Sequence, residues 1–469
     1  MRMQHGLALL SVLILGACTT PADIPPARMH APSVWSAAVP VVVDADPTPA
    51  WWMVLGDDTL NVWIEQAMRD SADLQVLLAR LEQAQAWADA KAAARAPSFW
   101  VQASVAHERT PQMGLHHPDG SRTDTPPAWQ RRLGGALEGR YEIDLLGRLS
   151  RAQRAAEHQT LASAEDLRAL RCWLTSEIVQ TYVELRRLEA DIVAQYVAVG
   201  LLQTLVEIEQ RRLAGGIGTR ESLRQAQRAQ DAGQDRRAEL SQHHHAAFAQ
   251  LALLLGRAPG ALLVPENSQW WERLADFTGA LPPDMPATVM GRRADVAAAW
   301  QRVLAASQSA QQVARERYPT LILTGNAGYA SPGLDQWLGA NALAWATQVA
   351  LSMPLFDGGQ RRAQAQVAQA GADEAYAQYR QTVLRALVEA DVGLHAIASA
   401  QGRVVLARKE LQRHQASASA IDQAWQSGTV AGTAVLEVQG MQLQAAALLR
   451  QRQYEWLAAW TQAQRAFGR

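Results

Sequence analysis

The sequence is poor in cysteine, which limits both its chemistry and its stabilisation. Only two cysteines occur among 469 residues, and Cys18, which directly follows an N-terminal export signal, is the predicted lipidation site. Cys172 therefore has no partner for an intramolecular disulfide in the mature chain, even in an oxidising compartment. Because Cys172 lies within a helical pattern, we predict that it is buried and packs as a small hydrophobic residue.

The sequence also lacks an excess of either charge and any catalytic motif. The formal net charge is −1 at pH 7, and no basic stripe is interleaved with aromatic residues, so no nucleic-acid partner is expected. We find no Ser-His-Asp grouping, no paired catalytic carboxylates, no phosphate-binding glycine loop and no Cys-His cluster. The sequence predicts neither an enzyme nor a bound cofactor or metal.

Three consecutive histidines, His243 to His245, are the one feature that suggests a metal. Consecutive helical residues point about 100° apart, so the three imidazoles cannot all bind one ion. A solvated helix face is therefore favoured over a metal site.

Long hydrophobic runs are missing after residue 18, which argues against transmembrane helices in the mature chain. Residues 1–17 have a cationic start and a short apolar run, and we interpret them as an export signal. Leu15 to Cys18 resembles the bacterial lipobox, whose cysteine is acylated after cleavage. Thr19 then implies sorting to the outer membrane. The alternative is an ordinary signal peptide with an incidental cysteine.

Prolines recur between Pro21 and Pro49. They predict an extended tether over 18–50 that connects the lipid anchor to the folded part.

Proline is absent from Arg148 to Ala258, and apolar residues recur there at steps of three and four. This spacing predicts a helix over about 148–213, then a turn at Gly215 to Thr219, then a helix to about Leu255. The first helix would be roughly 100 Å long, so it needs packing partners along its length.

The same order recurs in the second half of the sequence. A helix is predicted from about Gly359 to Gln426, followed by a turn ending at Gly432 and a helix to about Ala466. Each long helix is preceded by a shorter one, at about 57–95 and 287–316. We interpret the chain as two copies of one unit.

Each copy also carries two segments of alternating apolar and polar residues, which predict strands. The clearest are Leu137 to Asp144 and Leu343 to Met353, and their partners are Phe99 to His107 and Leu321 to Tyr329. Their length suits a tilted membrane strand with a polar face toward a watery lumen. A half-buried sheet in a soluble domain fits any single segment equally well.

Four strands cannot close a barrel, because the smallest membrane barrels have about eight. A membrane barrel would therefore require several chains. The loops at about 109–133 and 331–341 would then lie outside the cell.

These features resemble the TolC-type outer-membrane factors, in particular the lipoprotein branch that contains OprM and the NodT-like proteins. The resemblance covers about residues 50–469. It is carried by six short motifs in order: Trp51-Trp52, Asp57-Asp58-Thr59-Leu60, Tyr141 to Arg148, Leu254-Leu255-Gly256-Arg257, Arg292-Arg293-Ala294-Asp295 and Pro354 to Gly359. Ala294 and Leu146 depart from the residues usual in the family.

The resemblance implies a mixed α and β membrane protein. Three identical chains would form one 12-stranded outer-membrane barrel, four strands from each, continued by a 12-helix periplasmic barrel. The expected segments are a first repeat at 51–256, an equatorial connector at 257–286 and a second repeat at 287–469.

The function implied by the resemblance is a passive exit duct for drugs or other small toxic compounds. It would work with a periplasmic adaptor and an inner-membrane pump, which favours an RND-type system. One alternative is the duct of a type I protein-secretion system. An alternative of another class is a non-channel periplasmic coiled-coil lipoprotein.

The resemblance also implies a periplasmic gate near the two turns. Glu437 would form a ring of like charges in the lumen, with Glu221 and Arg224 at the corresponding positions of the first turn and Trp425 holding the closed tips. Glu437 and Trp425 also have ordinary alternatives. Glu437 would then be a solvated helix carboxylate, and Trp425 a core residue.

The turns themselves are the expected adaptor-docking tips, although they serve as helix stops in either case. The tip residues are Gly215, Gly216, Gly218, Thr219, Gly428 and Gly432. The joints between strand and helix are expected at Asp144, Gly147, Pro354, Asp357, Gly358 and Gly359.

Overall fold

The structure is a computed structural model. It describes residues 29, 32, 35, 50–111, 113–116, 121–125, 128–261, 270–274, 279, 286–331 and 339–469. The export signal, the predicted lipidation site Cys18, most of the tether and part of the predicted connector lie outside the described residues.

Long helices dominate the chain. In chain order the helices are α1 (Asp58–Asp70), α2 (Ala72–Ala93), α3 (Arg148–Ala214), α4 (Arg220–Leu254), α5 (Trp270–Arg273), α6 (Pro286–Arg292), α7 (Ala294–Arg315), α8 (Gln360–Gln426) and α9 (Gly432–Ala466). Both α3 and α8 have 67 residues, and both α4 and α9 have 35.

The strands form one antiparallel sheet and a small hairpin. They are β1 (Ser98–Thr110), β2 (Met113–His116), β3 (Arg122–Thr125), β4 (Ala128–Ile143), β5 (Thr320–Ser331) and β6 (Leu343–Ser352). The sheet has the order β1-β4-β5-β6, and β2 pairs with β3.

The predicted helices and strands are confirmed, with three differences. Each short helix is interrupted, the first at Ser71 between α1 and α2 and the second at Arg293 between α6 and α7. The strand expected from Leu137 begins at Ala128, and the hairpin of β2 and β3 was not predicted. The β4 extension pairs with β1 as far as Thr110, which is why it forms a strand.

The two long helices change neighbours near their midpoints. In one half, the packing order is α2, α3, α7 and α8; in the other it is α4, α3, α9 and α8. At 1.5 Å per residue, a 35-residue helix covers about half of the roughly 100 Å of α3 or α8. The 35-residue helices α4 and α9 therefore run from the turns to the midpoints of α3 and α8. Beyond the midpoints, α2 and α7 take their places.

An aromatic cluster lies at this midpoint. Tyr182, near the middle of α3, makes edge-to-face contacts with Trp63 at 5.6 Å and Trp270 at 6.0 Å between ring centroids. Trp51 makes the same kind of contact with Trp460 of α9 at 5.2 Å. Each such pair contributes about 0.5–1.5 kcal/mol beyond the burial of apolar area. The cluster thus joins segments from both ends of the chain and from the predicted connector.

Two described residues of the predicted tether contact this folded part. The Trp35 ring lies 6.0 Å from the Phe467 ring in an edge-to-face arrangement, and Met29 packs against the cluster that contains Trp300 and Tyr379. The tether is therefore attached to the helices at these points.

A polar chain runs through the aromatic cluster. Asp57 caps α1 by accepting the Thr59 N–H at 2.9 Å, and it also accepts the hydroxyl of Tyr182. The Tyr182 hydroxyl in turn accepts Arg186 Nε at 3.0 Å. Burial first, and then the Asp57 hydrogen bond, raise the pKa of Tyr182, so it donates as a neutral phenol. Asp57, the Tyr182 hydroxyl and Arg186 Nε are therefore paired with one another inside the cluster.

Arg293 explains the break between α6 and α7. This buried guanidinium donates to the Ala466 carbonyl at 3.0 Å and pairs with Asp295 at 2.6 Å and Glu389 of α8 at 2.8 Å. Burial alone would raise the pKa of Asp295, but the contact with Arg293 outweighs it and lowers that pKa. The extended backbone at Arg293 directs the side chain toward the C-terminal end of α9.

Among the described residues, α3 is the one helix long and apolar enough to cross a membrane by length and composition. A single such helix is weak support for a membrane span, because core helices of soluble proteins have the same properties. Arg187 of α3 pairs with Asp191 at 2.6 Å, and Asp191 also pairs with Arg450 of α9 at 2.8 Å. We therefore interpret α3 as part of the packed helical wall.

Replacing Asp57 with alanine should destabilise the fold. The change removes the α1 cap and leaves the buried Tyr182 hydroxyl without its acceptor, a loss of about 1–3 kcal/mol. Thermal unfolding of the detergent-solubilised protein, followed by circular dichroism, measures this. Asp58→Ala at the neighbouring exposed position is the control, and an equal loss in both variants would contradict the role of Asp57.

Candidate functional site

One face of the four-stranded sheet is apolar on every strand. In the register of the sheet, Val101 lies opposite Leu137, Leu137 opposite Ala327, and Ala327 opposite Trp345. Most side chains on this face are at least partly exposed, for example Val101 at 80% and Trp345 at 73%. Exposed apolar patches of this extent mark a surface that contacts lipid or another protein.

The opposite face of the same sheet is largely polar. It carries the residues that alternate with the apolar ones, among them Glu138, Arg140, Thr324, Asn326 and Gln348. An apolar face and a polar face on one sheet separate an apolar medium from water.

The sheet has two open edges among the described strands. β1 and β6 are its outermost strands, so each has a backbone edge without a partner strand in the described chain. Unpaired backbone groups cost several kcal/mol each in a hydrocarbon medium. A membrane location would therefore require another strand at each edge.

The first joint between sheet and helix is organised by Asp144. Its carboxylate accepts the backbone N–H groups of Leu149 at 3.0 Å and Ser150 at 2.7 Å, and the Ser150 hydroxyl at 2.6 Å. Gly147, with φ of 74°, gives the left-handed turn that starts α3. Asp144 therefore satisfies backbone donors at the start of α3 that have no partner within the helix.

The second joint uses a similar arrangement. Asp357 accepts the N–H of Gly359 at 3.0 Å and the Arg361 guanidinium at 3.1 Å, at the start of α8. Gly358 and Gly359 both have positive φ, and Pro354 follows the end of β6. The structure thus places all six predicted joint residues between a strand and a long helix, and their role as barrel joints stays a prediction.

The first turn, between α3 and α4, depends on glycine at specific positions. Gly216 has φ of 73°, and the N–H groups of Ile217 and Gly218 both donate to the Arg212 carbonyl at 2.9 Å. A β-carbon at Gly218 would lie 2.8 Å from the Leu213 nitrogen, a distance that real β-carbons essentially never show. Gly218 is therefore required by close approach, in addition to the left-handed position of Gly216.

A buried carboxylate that the sequence analysis missed connects the helices at this turn. Glu209 of α3 accepts the Ser222 hydroxyl of α4 at 2.7 Å and pairs with Arg212 at 2.8 Å. The Ser222 hydrogen bond, followed by Arg212, lowers the pKa of Glu209 despite opposition from burial. The predicted tip residue Thr219 caps α4 by accepting the Ser222 N–H at 3.0 Å.

The second turn, between α8 and α9, has the same kind of stop. Gly428 has φ of 74°, and the Thr429 N–H donates to the Ala424 carbonyl at 2.9 Å. Trp425 is 50% exposed in the single chain, so it is not a core residue there. Its Nε1 lies 3.6 Å from where a β-carbon would stand on Gly432, the first residue of α9.

Glu437 is exposed and lines a cavity of about 850 Å³ between α3, α4 and α9. Asp191, Arg236 and Gln444 line the same cavity. The structure therefore places Glu437 near the second turn, and its expected place in a lumenal ring stays a prediction.

The predicted gate residues of the first turn pair within their own helix. Glu221 contacts Arg228 Nη2 at 2.5 Å and Arg224 Nη1 at 3.9 Å, and all three side chains are largely exposed. Exposed pairs of this kind contribute little to stability.

His244 is the histidine of the run that approaches a partner. Its Nε2 lies 3.8 Å from Glu189 of α3, while His243 and His245 are exposed. Within the described part of the chain, no group of three or more histidine, cysteine or acidic residues is placed to hold a metal ion.

Comparison with known proteins agrees with this geometry. The family described as "Outer membrane efflux protein" matches residues 63–257 and 286–469. The fusaric acid resistance protein FusA of Burkholderia cepacia is 30% identical over 380 residues, covering 78% of this chain and 69% of FusA. Outer membrane protein OprJ of Pseudomonas aeruginosa is 30% identical over 390 residues, covering 81% of this chain and 78% of OprJ.

Solved structures resemble the chain over almost its whole length. The outer-membrane channel OprN has a TM-score of 0.82 at 25% identity, covering 95% of this chain and 98% of OprN. VceC of Vibrio cholerae has a TM-score of 0.76 at 25% identity, covering 90% of this chain and 99% of VceC.

The fold is therefore that of a helix-rich outer-membrane channel with mixed α and β structure, and not that of an enzyme. The chain belongs to the outer membrane efflux protein family. Its location is the cell outer membrane, from which it extends into the periplasm.

Gly218→Ala should disrupt the first turn. The added β-carbon clashes with the backbone of α3, which we expect to cost about 1–3 kcal/mol and to loosen the turn. Trypsin cleavage at Arg211 and Arg212 should become faster. Gly215→Ala is the matched control, because Gly215 has φ of −79° and its nearest contact is ordinary at 3.4 Å. Equal cleavage of both variants would contradict the assignment.

Proposed function

We propose that three copies of this chain form the outer-membrane duct of a tripartite efflux system, an RND-type system that exports drugs or other small toxic compounds. The observation that supports this most strongly is the exposed apolar face of an open-edged sheet that continues directly into two long helices. The family membership and the efflux proteins among its relatives favour the same function.

The open edges favour a closed barrel of twelve strands. With β6 of one chain pairing with β1 of the next, every backbone group in the membrane would have a partner. The apolar positions of β4 run from Leu133 to Ile143, about 33 Å along the strand at roughly 3.3 Å per residue. Tilted by about 40°, this forms a band about 25 Å tall, which matches outer-membrane barrels.

The helices favour a twelve-helix periplasmic barrel. Each half of the helical wall contains four helices per chain, so three chains would supply twelve in each half. In this proposal each chain consists of two repeats, at 51–256 and 287–469, which both contribute helices to the two halves of the wall. The connector at 257–286 surrounds the middle of the wall.

The proposed partners are a periplasmic adaptor, which docks on the two turns, and an inner-membrane pump that supplies the energy. Relatives that support an efflux role include the solvent efflux pump outer membrane protein SrpC of Pseudomonas putida, 26% identical over 443 residues. We also propose that acylated Cys18 anchors the N-terminus in the membrane.

The purified protein should form trimers and conduct ions across planar lipid bilayers. A water-filled lumen follows from the polar sheet face, and conduction follows from the lumen. Trimerisation is measured by light scattering in detergent and conduction by single-channel recording. A folded protein that stays monomeric and never conducts would exclude the duct and favour the coiled-coil lipoprotein.

Glu437→Gln should raise the conductance or weaken the selectivity for cations. A ring of three carboxylates attracts cations and repels anions in a narrow lumen, and the amide removes this field without changing the size of the side chain. Glu374→Gln, at an exposed position of α8 far from the turns, is the matched control. Unchanged recordings for Glu437→Gln would show that Glu437 does not line the constriction.

A further inference from the structure

A cluster of cationic and aromatic side chains lies at one end of the apolar sheet face, the end far from the long helices. In the register of β1 and β4, His107 lies opposite Arg131 and Arg109 lies opposite Trp129. The next pair on the same face is Val105 with Leu133, where the apolar band begins. The face therefore changes from apolar to basic within one step along both strands.

The cluster is exposed and held in place by ring contacts. Trp129 is 67% exposed, with the His107 ring 5.0 Å away between centroids at an interplanar angle of 34°. The Arg109 guanidinium carbon lies 5.8 Å from the centroid of the Trp129 ring. These contacts hold the imidazole and the guanidinium at the surface, so less side-chain entropy is lost when a ligand binds.

The carboxylates of β1 and β4 all lie on one face of the sheet. The carboxylates of β1 and β4, Glu108, Glu138 and Glu142, alternate onto the polar face, and Arg132 lies on that face as well. On the apolar face of the four described strands of this sheet, the charged side chains are Arg109 and Arg131 alone, both at the same end. The described strands place no carboxylate on this face.

Arginine beside an apolar band favours a particular ligand. Charged residues on the lipid face of a barrel are tolerated near the interface, where lipid headgroups can contact them. Guanidinium groups bind phosphate through paired, charge-assisted hydrogen bonds, and tryptophan is typical of the headgroup level. A ligand that joins a phosphate to apolar chains would contact both the cluster and the band next to it.

We propose that His107, Arg109, Arg131 and Trp129 form a binding site for the phosphate group of an anionic lipid in the outer leaflet. The acyl chains of this lipid lie along the apolar face toward Val105 and Val101. This inference rests on the proposed function, because it requires the apolar face of the sheet to contact the membrane.

The test uses the purified full-length protein in detergent and bis-phosphorylated lipid A as the probe, with the same lipid after removal of its phosphates for comparison. Native mass spectrometry measures the affinity of each. The wild-type protein should bind the phosphorylated lipid more tightly, and added salt should weaken binding. Equal binding of the dephosphorylated lipid would overturn the proposal.

Arg109→Gln and Arg131→Gln should each weaken binding about fivefold, because each change removes about one charge contact with the phosphate. The double variant should bind about 25-fold more weakly. Arg132→Gln is the matched control, since it removes an exposed arginine one residue away on the opposite face. Wild-type affinity in the double variant, or an equal loss in Arg132→Gln, would contradict the site.

Two further measurements keep this proposal separate from the duct. Thermal unfolding of the double variant should match the wild-type protein, because the replaced side chains are exposed. Its bilayer conductance should also be unchanged. A double variant that conducts and binds lipid as tightly as the wild-type protein would exclude the lipid site but not the proposed duct. A wild-type protein that never conducts would instead contradict the proposed duct.

Discussion

The packing of aromatic rings around Tyr182 is the constraint on which the rest of the molecule depends. Helices of roughly 100 Å cannot remain parallel through their own hydrogen bonds, so they need contacts along their length. The cluster fixes α3 near its middle to Trp63, Trp270 and the N-cap Asp57. At the same level Gly393 of α8 lies next to Ala463 of α9. Both long helices are therefore held where their neighbours change.

Much of this architecture could be predicted from local patterns. Periodicity and glycine stops located α3, α4, α8 and α9 to within a residue or two, because uninterrupted apolar spacing and left-handed turns are encoded locally. The break at Ser71 has no such local signal. It coincides with a tertiary contact, since Gly256 lies against the Asp70 carbonyl so closely that a β-carbon would be 2.6 Å away. The break at Arg293 likewise depends on partners far away in the sequence.

The candidate site was predictable only where its residues are determined by the local sequence. The joint and turn residues are short-range features and were identified, whereas the role of Glu437 depends on neighbouring chains and rests on the family resemblance. Glu209 was missed, although a signal existed. Once a helical hairpin is predicted around Gly216, residues on either side of it, such as Glu209 and Ser222, become expected neighbours, so a polar pair there is detectable.

The pairing of β4 with β5 has a consequence for biosynthesis. These adjacent strands of the sheet lie on either side of α3 and α4 in the chain, with Leu137 opposite Ala327. A chain that stops before residue 320 can form only the hairpin of β1 and β4, which is half of the four-stranded sheet. Pairing β4 with β5 closes the long loop that contains α3 and α4, and this closure costs entropy before the pairing offsets it. The C-terminal half must therefore be exported before the apolar face is complete. In the proposed duct, a truncated chain would offer only two of the four strands that each copy contributes to the barrel.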